Sequence, residues 1–115
     1  MIWTSIILLL VAAVFGLYMA SRIFSDDLPP WSAVILHGIL AAAGLVVLLY
    51  ALFIGVQAAP LAVGAVLLVI AALGGFFMFS YQLRSMTPPK AVAVVHALLA
   101  VLGVVCLIGS ALGLV

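Results

Sequence analysis

Four long apolar runs separated by three short breaks organise the whole chain. The runs cover about residues 2–23, 31–56, 61–83 and 91–115. A helix that crosses a bilayer needs roughly 20 apolar residues, and each run supplies them. The runs are continuous rather than alternating, so the pattern predicts helices and not the strands of a membrane barrel. Asp26-Asp27-Leu28-Pro29-Pro30 forms the first break, Gln57-Ala58-Ala59-Pro60 the second, and Arg84-Ser85-Met86-Thr87-Pro88-Pro89 the third. Proline suits such positions because a helix start tolerates its missing N–H. No Lys or Arg precedes the first run, which therefore reads as helix one rather than a secretory leader.

The same pattern occurs twice. Setting Met1 against Pro60 and continuing without a gap pairs 1–56 with 60–115, and 16 of the 56 pairs are identical. The rarer identities carry the case: Gly16/Gly75, Met19/Met78, Ser21/Ser80, Pro29-Pro30/Pro88-Pro89, His37/His96 and Gly44/Gly103. Each repeat holds two spans, which return the chain to the same side, so the copies are parallel and related by an axis along the membrane normal. The expected fold is an all-α integral membrane protein forming a single membrane domain over 1–115. Its architecture is an up-down-up-down four-helix transmembrane bundle made of two parallel helical-hairpin repeats.

Composition agrees with that reading and narrows the function. Hydrophobic residues make up 71% of the chain, and only Arg22, Asp26, Asp27, Arg84 and Lys90 are charged. Soluble domains carry about 25% charged residues, so this chain lacks a water-compatible surface. A net charge of +1 offers no phosphate-neutralising patch, which excludes nucleic acid as a partner. Cys106 stands alone and cannot form an internal disulfide. All five charges fall in or directly beside the two Pro-Pro loops, which share one face. An excess of Lys and Arg marks the cytoplasmic side, so both termini are expected outside, with a bacterial inner membrane as the setting.

Inside the spans, the chemistry reduces to His37 and His96. Each lies two helical turns beyond its second proline, Pro30 or Pro89. That spacing sets the imidazoles roughly 10 Å below the charged face. The pseudo-symmetry puts helices two and four on one diagonal, so the rings face each other across the interior. Ionisable residues within a membrane are functional candidates by default, although hydrogen bonding between helices is the plainer use. A pair at one depth favours a ligand held between them. Imidazole is an axial ligand of haem iron, and two bonds of about 2 Å place the facing nitrogens roughly 4 Å apart. One haem b per chain, with His37 and His96 as axial ligands, is therefore expected. The macrocycle would stand along the membrane normal with its edges toward helices one and three.

Small residues supply the expected groove. Heptad steps from Pro30 pass through His37 and Gly44, and those from Pro89 pass through His96 and Gly103. Residues seven apart lie nearly on one stripe, so Gly44 and Gly103 are expected beside a porphyrin edge. Gly16, Gly75, Met19 and Met78 are further pocket candidates, and Arg22, Arg84 and Lys90 are candidate propionate contacts. In architecture this resembles the four-helix membrane b-type cytochromes, whose bundles hold haem between histidines on separate helices. The resemblance rests on the bundle and the paired histidines. It implies electron transfer, alone or as a subunit of a larger respiratory or photosynthetic membrane complex.

Other readings of the same residues stay open. His37, His96, Met19 and Met78 together would make a soft site suited to Cu(I). A chlorophyll-type pigment needs only one imidazole; Ala33 stands one turn before His37 as in antenna helices, but Val92 takes that place before His96. A non-redox structural or assembly subunit would hold no cofactor at all. Enzymatic chemistry is not expected, since Asp26 and Asp27 lie in a solvated loop and neither Ser21 nor Ser80 has an evident base.

Overall fold

The computed structural model describes residues 1–115 and contains four helices: α1 (Ile2–Phe24), α2 (Trp31–Phe53), α3 (Ala59–Leu83) and α4 (Lys90–Ala111). There are no strands. Mean hydropathy in the spanning windows runs from 2.3 to 2.8, so each helix is long and apolar enough to cross a membrane. The molecule measures 42 × 21 × 19 Å. It is one spanning helix tall and two helices across. Only 21 of 115 residues are buried, and side chains such as Leu17, Phe53 and Phe76 project outward. Such a surface suits lipid, not water.

The helix ends share one solution. In each, the residue after the C-cap adopts a left-handed conformation, and two backbone N–H groups fold back onto the last turn. Gly55 (φ 100°) and Gly113 (φ 71°) do this for α2 and α4, with Val56 N–H donating to Ala51 O at 3.1 Å and Leu114 N–H to Gly109 O at 2.8 Å. Glycine adopts this geometry without steric cost, which stops α2 and α4 short of the expected limits at 56 and 115. Asp26 (φ 59°) and Ser85 (φ 55°) occupy the same place after α1 and α3, despite having side chains. At the other ends, Pro30 and Pro89 are extended N-caps, and Pro60 sits in the first turn of α3.

Packing is dense within each hairpin, α1 on α2 and α3 on α4, and sparser where α1 meets α4 and α2 meets α3. The remaining pairs, α1–α3 and α2–α4, form the diagonals of an up-down-up-down bundle. Close approach within a hairpin depends on glycine. A Cβ on Gly44 would lie 2.8 Å from Leu9 Cγ, and one on Gly103 would lie 2.7 Å from Leu68 Cγ. Ser5 Oγ also donates to Gly44 O at 2.7 Å across the first hairpin, whereas Gly64 replaces it in the second. Around these contacts sits the leucine-rich core of Ile6, Leu9, Leu48, Leu61, Leu68 and Leu107 with Ala65. That core occupies the half of the bundle near the termini. The half near the Pro-Pro loops buries several alanines, Ala12, Ala33, Ala71 and Ala93, together with Ile23, Val34 and Gln82.

Candidate functional site

His37 on α2 and His96 on α4 meet in this second half. Their ring centroids are 6.1 Å apart and their planes are inclined at 69°. Each ring is half-buried and anchored within its own hairpin. The Nδ1 of His37 lies 2.8 Å from Ala12 O on α1, and the Nδ1 of His96 lies 2.6 Å from Ala71 O on α3. A backbone carbonyl only accepts hydrogen bonds, so Nδ1 carries the proton in both rings. In a neutral imidazole, Nε2 is then the nitrogen with the free lone pair.

A ring held in this tautomer has Nε2 available as an acceptor or a ligand atom. A ligating histidine nearly always donates its other ring N–H to a carboxylate, carbonyl or water, which fixes the tautomer and raises basicity. The centroid separation is close to what one metal would need between two Nε2 atoms that point at each other. Two bonds of about 2 Å, with about 1.2 Å from each nitrogen to its ring centre, put the centroids roughly 6.4 Å apart. No group of three or more His, Cys, Asp or Glu side chains gathers anywhere in the chain. Two imidazoles alone do not close a metal coordination shell.

The other candidate residues divide by what they touch. Gly16 and Gly75 lie against the imidazoles: a Cβ on Gly16 would be 3.1 Å from His37 Cε1, and one on Gly75 would be 3.3 Å from His96 Cε1. Met19 and Met78 are half-buried one turn closer to the charged loops. Gly44 and Gly103 lie against side chains of their hairpin partners. Leu9 and Leu68 lie beside them, so the two glycines serve helix contact within each hairpin.

The cations are engaged locally. Lys90 Nζ pairs with Asp26 Oδ1 at 3.0 Å, and Arg84 Nε donates to Ser80 O at 3.1 Å while its guanidinium lies 4.5 Å from the Tyr81 ring centre. Arg22 Nη2 donates to Leu28 O at 3.1 Å, but its Nε is buried without an acceptor. Ala12 and Ala71 act through their carbonyls, which side-chain reasoning passes over. The available signal is positional: Ala12 precedes His37 by the same interval as Ala71 precedes His96. In comparisons with known proteins, the chain matches no family model, no curated protein and no solved structure.

Proposed function

We propose that the chain is a small membrane b-type cytochrome that holds one haem between His37 and His96 and passes electrons, alone or within a larger membrane complex. The observation that carries this reading is the facing pair itself: two rings 6.1 Å apart, each with Nδ1 committed to a backbone carbonyl. Haem bound there would supply a one-electron iron couple. The chain's own residues do the rest. Ala12 and Ala71 orient the ligands, while the apolar spans exclude bulk water. Arg22, whose buried Nε lacks an acceptor, is the candidate cation for a propionate. The functional setting is a bacterial inner membrane, with the charged loops on the cytoplasmic side.

A visible spectrum of the detergent-purified protein tests the proposal. The expected result is a sharp Soret band that shifts on reduction, with a low-spin spectrum lost in His37→Ala and in His96→Ala. Retention of six-coordinate haem in both single variants would sink the assignment. A second reading has its own observation: the Nδ1 bonds already tie each histidine to its hairpin partner, as a purely structural histidine would be tied. A colourless, metal-free protein would establish that packing role and remove the haem, copper and pigment readings together.

A further inference from the structure

Both histidines reach a carbonyl that is already in use. Ala12 O is the helical acceptor for the N–H of Gly16, and Ala71 O is the acceptor for the N–H of Gly75. A helical carbonyl points toward residue i+4, and the side chain at i+4 partly covers its outward lone pair. In both repeats that residue is glycine, and in both the uncovered carbonyl receives an imidazole Nδ1, at 2.8 Å and 2.6 Å. We propose that Gly16 and Gly75 are positioning residues: by uncovering the Ala12 and Ala71 carbonyls they lock His37 and His96 as Nδ1–H tautomers and reserve Nε2 for a metal. The unit is Ala-x3-Gly on one helix and His on the next, and it recurs at the same spacing in the second repeat.

The two copies are not equally tight. A Cβ on Gly16 would stand 3.1 Å from Cε1 and 3.2 Å from Nδ1 of His37, so the ring must shift by a few tenths of an ångström, which strains its bond to the Ala12 carbonyl. On Gly75 the corresponding distances to His96 are 3.3 Å and 3.8 Å, a milder encroachment. Gly74 provides a neighbouring contrast. Its Cβ would meet His96 Cβ at 3.7 Å and Nδ1 at 3.8 Å, which is ordinary contact, and it does not stand at i+4 from Ala71. Gly38, next to His37 on α2, has open space around it.

The metal-binding consequence rests on the haem reading, while the tautomer does not. Nitrogen-15 spectra of histidine-labelled apoprotein in detergent should show both rings protonated at Nδ1. Gly16→Ala should shift His37 toward a mixture of tautomers, and Gly75→Ala should do the same to His96 to a smaller degree. Gly74→Ala and Gly38→Ala should leave both unchanged. Alanine is the better helix former, so none of these changes weakens its own helix. Should Gly16→Ala fail to fold, the milder Gly75→Ala supplies the same test at His96. With haem added, Gly16→Ala should bind about 10–100-fold more weakly, the usual effect of losing a ligand's supporting hydrogen bond. Nε2–H tautomers in the unaltered protein, or equal effects from Gly74→Ala and Gly75→Ala, would overturn the proposal. Nδ1–H tautomers in a protein that takes up no haem would support the positioning role and refute the cytochrome reading.

Discussion

Glycine has two distinct uses in this bundle, and the sequence displays them alike. The heptad stripe through His37 and Gly44 is real, but a stripe defines a face without saying which neighbour that face meets. Here Gly44 meets Leu9 and the Ser5 carbonyl of its own hairpin partner, and Gly103 meets Leu68 and the Gly64 carbonyl. The histidine pair was legible because His37 and His96 repeat at one register. Their anchors were not, since a backbone carbonyl leaves no trace in side-chain chemistry. The packing predicts that Gly44→Leu or Gly103→Leu destabilises the bundle even without cofactor, by about 1–3 kcal/mol, the range for overpacked interiors. Thermal unfolding of the apoprotein in detergent measures this. Unchanged apoprotein stability combined with lost haem uptake would return these glycines to the porphyrin pocket.

At the scale of the helices, existence and order followed from hydropathy, while the C-terminal limits depended on single residues. Gly55 and Gly113 each sit inside an apolar run that hydropathy alone continues, yet their positive φ ends the helix there. Asp26 and Ser85 end α1 and α3 in the same conformation without glycine's freedom. That conformation costs an L-residue roughly 1–2 kcal/mol. Asp26 recovers part of this through its ion pair with Lys90. The Ser85 side chain has no such partner, and only its backbone N–H is engaged, with Gln82 O at 3.1 Å. Ser85→Gly is therefore expected to raise stability by up to about 1 kcal/mol, allowing for the greater freedom of glycine in the unfolded chain. A rise in the unfolding midpoint would confirm it. A fall would show that the Ser85 hydroxyl has a partner worth more than the relieved strain.

Across the whole molecule, the repeat symmetry is broken where the hairpins are tied together. Gln82 Nε2 donates to Pro29 O at 2.9 Å in a buried position, and Lys90 pairs with Asp26 near the surface. The symmetry mates of Gln82 and Lys90 are Ile23 and Trp31, and these can form neither bond. Gln82→Leu leaves the Pro29 carbonyl without its donor and should cost about 1–3 kcal/mol. Lys90→Met, which opens the exposed ion pair without altering the left-handed Asp26, should cost no more than about 1 kcal/mol. Equal losses in chemical denaturation would refute this ranking. The loops also bear on orientation. Arg22, Arg84 and Lys90 all lie at their face, so a C-terminal reporter active only outside the cytoplasm should be active on this chain. A cytoplasmic signal would reverse the assignment without altering the depth of the histidines.

Because each imidazole is anchored inside its own hairpin, every hairpin carries one histidine together with its anchor. The connection between the hairpins is only the short non-helical stretch from Ile54 to Ala58. Two chains that straightened this connection and traded second hairpins would rebuild both histidine pairs with every anchoring bond intact. Short hinges favour such domain swapping, and the exchanged dimer would carry two histidine pairs identical to the one in the monomer. The Asp26–Lys90 and Gln82–Pro29 bonds would select the partner, because only a first hairpin joined to a second can form them.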